Sequence, residues 1–104
     1  MLDFVKVAKL ADIPSGEVRG ADLNGLRICL ANVAGHVYAI GNECTHQGGP
    51  MEDGYLEGNL LMCPWHAGDF DVTTGKAATA PASGELPSYR VRVTGDDIEV
   101  QPLA

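Results

Sequence analysis

The chain has 104 residues, 45% apolar and 20% charged, with 14 acidic side chains against 7 basic ones and a net charge of −7. That length suits one domain with one modest core, and the composition is that of a folded chain rather than a disordered one. The acidic balance argues against nucleic acid and anionic membranes as partners, since both recruit basic surfaces, and no apolar run near Met1 has the length of a signal peptide or membrane span, so a cytoplasmic monomer is expected.

Phe4 to Leu10, Glu17 to Ala21, Leu26 to Val33 and His36 to Ile40 are rich in Val, Ile and Leu and bounded by Gly, Asn, Asp or Pro, which predicts four short strands. Leu10 to Ile13, ahead of Pro14, reads as a single helical turn. Asn24-Gly25 suits a tight primed turn, and Ala34-Gly35 is expected to close the next hairpin. Further on, Glu57-Gly58-Asn59 predicts a turn, Leu60, Leu61 and Met62 lead into Cys63, and a strand is expected around Phe70 to Val72 before a turn at Thr74-Gly75. Near the end, Tyr89, Val91 and Val93 alternate with Arg90 and Arg92, predicting a strand with one buried and one wet face, and Asp97 to Val100 forms the last run. The expected architecture is all-β and antiparallel. A base built from residues 1–40 and 82–104 carries an insert, residues 41–81, whose two hairpins present two loops side by side.

Two of the three cysteines and two of the three histidines fall in that insert, as Cys44-x-His46 and, after sixteen residues, Cys63-x-x-His66. Three cysteines are too few for a disulfide scaffold, and in a reducing compartment they remain thiols or metal ligands. Three readings of the four side chains compete. A Cys₂His₂ zinc site has the right donors, but each loop here mixes the two types, and no helix follows Cys63. A thiol nucleophile paired with a histidine accounts for one Cys and one His, not for the repeated pair. A two-iron cluster, with one iron on two thiolates and the other on two imidazoles, suits mixed loops best.

The pattern resembles that of Rieske [2Fe-2S] proteins, carried by "CTHQGGPMEDGYLEG", by "CPWHAGDFDVTTGKA" and by Ala80-Pro81 at the place of the family's third, Pro-containing loop. The resemblance implies the Rieske fold and one [2Fe-2S] cluster per chain, with Cys44 and Cys63 on one iron and His46 and His66 on the other. It implies supporting roles for Gln47, Gly48 and Gly49, whose backbone N–H groups approach the sulfurs, and for Pro81 as a cover. Trp65, between two ligands, reads either as an apolar lid or docking contact or as plain packing, and Cys29 as a buried inert thiol.

Departures from the family pattern are informative. Respiratory and photosynthetic members carry a disulfide joining the two loops, at positions occupied here by Gly49 and Trp65. Those members also have a serine and a tyrosine that donate hydrogen bonds to the sulfurs, where this chain has Gly68 and Phe70. Fewer donors leave the reduced state less stabilised, which predicts a potential near the lower end of the range of roughly −150 to +300 mV. The chain is therefore similar to the small ferredoxins of multicomponent aromatic-ring oxygenases, implying a role in aromatic hydrocarbon catabolism. Such a carrier is not an enzyme. It relays single electrons from a reductase holding FAD and using NAD(P)H to a terminal non-haem iron oxygenase. Between Gly41 and Gly75 lie Glu43, Glu52, Asp53, Glu57, Asp69 and Asp71 with no Lys or Arg, an acidic segment expected to dock both partners transiently. The small subunit of an assimilatory nitrite reductase and a zinc-bound interaction module remain as alternatives.

Overall fold

The computed structural model describes residues 3–45, 48–65, 68–80 and 82–102. Among these residues nine strands run in chain order: β1 (Val5–Lys9), β2 (Val18–Leu23), β3 (Leu26–Val33), β4 (His36–Gly41), β5 (Tyr55–Glu57), β6 (Leu60–Met62), β7 (Asp69–Asp71), β8 (Ser88–Thr94) and β9 (Asp97–Gln101). They form two antiparallel sheets, a six-stranded one in the order β1-β9-β8-β4-β3-β2 and a three-stranded one in the order β5-β6-β7. A 3-10 turn at Leu10–Asp12 meets the expectation for that stretch. A second, at Met51–Asp53, was not foreseen.

The first hairpins form as their turn residues dictate. Asn24 and Gly25 have φ of 52° and 90°, and Ala34 and Gly35 have 53° and 93°, the pair of positive values a primed two-residue turn requires. Asn32 Oδ1 accepts from Gly35 N at 2.8 Å, and Asp22 Oδ1 accepts from Gly25 N at 2.7 Å.

Strand β3 is buried from Ile28 through Asn32, on both its faces. Ile28 and Leu30 join Ala21, Leu23, Ala39, Ile98 and Val100 in one core cluster. Cys29 and Ala31 point the other way and pack with Ile40, Cys44, Met51, Leu61, Cys63, Phe70, Val72 and Leu86. The small sheet thus lies over one face of the large one, which explains why β3 reads as a continuous apolar run rather than an alternating one. Within the small sheet the register places Leu56, Leu61 and Phe70 in one row facing this core.

Two expectations require correction. Val93 is 44% exposed, so the buried face of β8 fades after the buried Tyr89; β4 pairs with β8 only at Ala39↔Tyr89 and Ile40↔Ser88, leaving the far half of β8 beyond that edge. The two loops are also not built by two hairpins. Cys63 does sit at the head of the β6–β7 hairpin, but the β5–β6 turn carries no ligand, and the Cys44 loop is closed by a single bridge, Glu43↔Pro50. No helix among the described residues is long and apolar enough to cross a membrane.

Candidate metal centre

Cys44 follows the end of β4 and opens a loop that returns on itself. Cys44 N donates to the Gly49 carbonyl at 2.9 Å and Gly48 N to the Cys44 carbonyl at 2.8 Å. Gly48 has φ of 72°, the left-handed region where a missing Cβ removes the steric cost. Cys63 follows β6, and its N–H donates to the Gly68 carbonyl at 3.0 Å, closing the second loop. Cys44 is 3% exposed and Cys63 fully buried, both in the core beneath the small sheet. None of the three cysteines enters a disulfide.

The two loops touch. A Cβ built on Gly49 would lie 2.8 Å from Cys63 Sγ and 3.1 Å from Trp65 Cγ, so only glycine lets the first loop pack against the second thiol. Gly49 and Trp65, the positions that a bridge between the loops would occupy by resemblance, therefore abut. Trp65 lies against Gly49 while 53% of the residue is exposed. His46, Gln47, His66 and Pro81 lie outside the described residues.

A third stretch, residues 78–80 and 82–85, flanks both loops. Thr45 Oγ1 donates to the Ser83 carbonyl at 2.8 Å, and Asp69 N donates to Thr79 Oγ1 at 2.9 Å. Gly68, with φ of 102°, sits under this segment: a Cβ there would collide with the Thr79 carbonyl oxygen and come within 2.8 Å of Ala82. Phe70, by contrast, is fully buried in the same cluster as Cys44 and Cys63.

Polar residues that no motif announces brace the first loop. Asn42 is buried and Glu52 sits on the 3-10 turn after the loop; Asn42 Nδ2 donates to Glu52 Oε1 at 2.9 Å and Glu52 N to Asn42 Oδ1 at 2.8 Å. Arg27, from β3, grips the same carboxylate in a two-pronged pair at 2.8 and 2.7 Å. Hydrogen bonding from Arg27 holds the Glu52 carboxyl below its usual range. Glu52 is thus removed from the set of freely available docking acids, because its charge is met within the fold. Cys29 is fully buried, its thiol pushed up to about 12 first by burial and then by the nearby Glu52 charge, which makes it inert as expected.

The acids of the small sheet are placed differently. Its outer face carries the rows Tyr55↔Met62↔Asp69 and Glu57↔Leu60↔Asp71. Tyr55 is 73% and Met62 42% exposed, so apolar and acidic groups share one solvent-facing surface. The Asp71 carboxyl is held below its usual range, chiefly by the Thr73 hydroxyl that donates to it at 2.6 Å.

The described half of the donor set fits an iron–sulfur centre. Two buried thiols stand at the heads of two loops in contact, one of them packed directly against a glycine of the other loop. The Rieske [2Fe-2S] domain model matches residues 3–90. The chain is 44% identical, over 88% of both chains, to the ferredoxin component of naphthalene 1,2-dioxygenase/salicylate 5-hydroxylase systems from a Ralstonia species. Among solved structures it superposes on the ferredoxin of carbazole 1,9a-dioxygenase from Nocardioides aromaticivorans with a TM-score of 0.91, at 31% identity, covering 96% of this chain and 98% of that one. It also matches a chain in a complex of reduced oxygenase and oxidised ferredoxin of carbazole 1,9a-dioxygenase, with a TM-score of 0.87 at 29% identity, covering 94% and 92%. The chain belongs to the Rieske [2Fe-2S] domain family.

Proposed function

We propose that this chain is the ferredoxin component of an aromatic-ring dioxygenase system, a one-electron carrier rather than a catalyst. The observation that carries this reading is the contact of the Cys44 loop with the Cys63 thiol through Gly49, in a chain of the Rieske family that matches dioxygenase ferredoxins over nearly its full length. Cys44 and Cys63 hold one iron and His46 and His66 the other, on the insert of residues 41–81. When bound, the cluster supplies a one-electron couple, thiolates favouring a ferric ion and neutral imidazoles favouring the added electron on their own iron. Burial of Cys44 and Cys63 shields the two thiols from water, while half-exposed Trp65 offers an apolar contact on the second loop.

The electron donor is a flavin- and NAD(P)H-dependent reductase and the acceptor a terminal oxygenase, both met in the cytoplasm. The solved complex of an oxygenase with a related ferredoxin supports the second of these encounters. Glu57, Asp69 and Asp71, beside Tyr55, Leu60 and Met62, form the docking face, with Glu43 and Asp53 as further exposed acids and Glu52 excluded. Such a face gives fast, weak, salt-sensitive encounters.

The test begins with the purified protein. It is expected to be brown, to hold two iron and two acid-labile sulfide per chain, and to become paramagnetic on one-electron reduction. Its potential should fall below about +100 mV. A colourless, zinc-loaded protein overturns the cofactor, and a reductase-to-ferredoxin rate indifferent to ionic strength overturns the acidic docking face.

A further inference from the structure

We propose that Arg27, Glu52 and Asn42 form a clamp that positions the first ligand loop, and through it the cluster, so that these three residues set the carrier's redox behaviour without touching the metal. This rests on the reading that the chain holds a Rieske cluster. The residues between Asn42 and Met51 make up the loop, and Asn42 closes it three times over. Its carbonyl accepts from Met51 N at 2.7 Å, its side-chain oxygen accepts from Glu52 N, and its side-chain nitrogen donates to Glu52 Oε1.

The far end of the clamp is fixed to the large sheet. Arg27 reaches from β3 to both carboxylate oxygens of Glu52, and the joined side chains lie over Gly20 of β2, which pairs with Cys29. A Cβ at Gly20 would strike the Glu52 carboxylate and lie 2.5 Å from Arg27 Nη2, so the seat of the pair exists only because residue 20 has no side chain. The β2–β3 hairpin and the 3-10 turn, remote from it in sequence, thus converge on the root of one loop.

Stability alone is a poor account of this arrangement. The Arg27 side chain is 55% exposed, and an ion pair with so wet a partner adds little to folding. The 3-10 turn already has an apolar anchor in fully buried Met51. What the clamp adds is direction. A two-pronged guanidinium–carboxylate pair fixes angle as well as distance, and Asn42 transmits that angle to the backbone two residues before Cys44. The root of the loop that carries Cys44 is then held in one orientation, and a cluster bound through that thiol would keep the same seat through both oxidation states.

The test uses the holo-protein. Asn42→Ala and Glu52→Ala remove the side-chain contacts, Arg27→Lys keeps charge but loses the two-pronged geometry, and Gly20→Ala displaces the pair from a distance. Each is expected to shift the electron-transfer equilibrium at least threefold, about 28 mV at about 59 mV per tenfold for one electron. Each should also change the reduced-state g values, with Arg27→Lys giving the smallest change. The shifts should persist at high ionic strength, where a bare charge effect is screened. Lower melting temperatures with wild-type potential and g values, or shifts that vanish in salt, overturn the clamp as a positioning device. A variant that folds by circular dichroism yet takes up less cluster supports it. Should a truncation fail to fold, the mild Arg27→Lys variant decides. A wild-type protein that holds no [2Fe-2S] cluster removes the underlying reading instead, which keeps the two failures apart.

Discussion

Gly68 occupies the position where high-potential relatives, by the resemblance of the motifs, place a serine that donates to a cluster sulfur. Gly68→Ser should not convert this chain into such a protein. The residue has φ of 102°, and its Cβ would run into the Thr79 carbonyl oxygen and approach Ala82 to 2.8 Å. A side chain in left-handed backbone costs roughly 1–2 kcal/mol, and forcing atoms into a packed seat costs roughly 1–3 kcal/mol more. The expected loss is about 3 kcal/mol, a large share of the roughly 5–15 kcal/mol that holds a domain together. For a chain of this length that corresponds to a fall in melting temperature on the order of 15 °C. Thermal melts of the holo-protein, followed by visible absorbance and paired with a potentiometric titration, read both effects. Gly68→Ala is the control, since it carries the strain without the hydroxyl and should lose nearly as much. If Gly68→Ser melts within a few degrees of wild type while its potential rises, the seat is open and the reasoning from backbone and contact is wrong.

Phe70→Tyr should behave in the opposite way: its ring is already buried in the cluster of Cys44 and Cys63, so a hydroxyl that reaches a sulfur would favour the reduced state by about 1 kcal/mol, or about 40 mV upward in a redox titration; a potential at or below wild type refutes it. Cys29 has an ordinary value of 9.0 and a folded value of about 12, so the folded state holds its proton longer than the unfolded one, and the stability this contributes is complete below pH 9 and lost as pH rises toward 12. At pH 10.5 the loss is 1.5 units times about 1.36 kcal/mol, about 2 kcal/mol, and urea melts of Cys29→Ala should fall less steeply with pH than wild type by that amount; parallel pH profiles refute it. Ala34, at φ of 53° in a primed turn, should accept Asn with a gain of roughly 0.5–1 kcal/mol, because Asn tolerates the left-handed region that Ala resists; an unchanged or lower urea midpoint counts against the strain. Trp65→Ala, removing a half-exposed ring, should weaken transfer to the oxygenase severalfold while leaving melting temperature within a few degrees; a lower melting temperature with unchanged transfer would assign the ring to packing alone.

Much of the fold was legible because local signals agreed with the global one. Asn24-Gly25 and Ala34-Gly35 encode primed turns in their own residues, so β2, β3 and β4 could be placed before any tertiary contact was known. The second ligand loop was legible for the same reason: Leu60 to Met62 and Asp69 to Asp71 bracket it as strands. The first loop was not, since a lone Glu43↔Pro50 bridge and a 3-10 turn leave no periodic trace. The fading burial along β8 escaped for a different reason. Alternation in "YRVRV" is a local property, whereas Val93 is exposed because β4 ends its pairing at Tyr89, a fact about another strand.

Glu52 shows most clearly where such reading stops. In the sequence it is one acid among six in a stretch without Lys or Arg, and counting charges makes it part of a docking face. Its partner Arg27 lies 25 positions earlier on β3 of the large sheet, and the gap that lets the two meet is the missing Cβ of Gly20, on the neighbouring β2. No window along the chain contains all three. Gly49 and Gly68 follow the same logic: as motif residues they mark what is lacking relative to the disulfide and serine of other members, whereas in three dimensions each is the space that a neighbour fills. Gly49 yields to Cys63 Sγ and Gly68 to Thr79 and Ala82. The two donor positions named by the resemblance therefore differ in kind: a side chain restored at Gly68 meets the Thr79 carbonyl, so a hydroxyl there requires reshaping the third stretch, whereas Phe70 already packs with Cys44 and Cys63 and is the place where a donor can be added without moving the backbone.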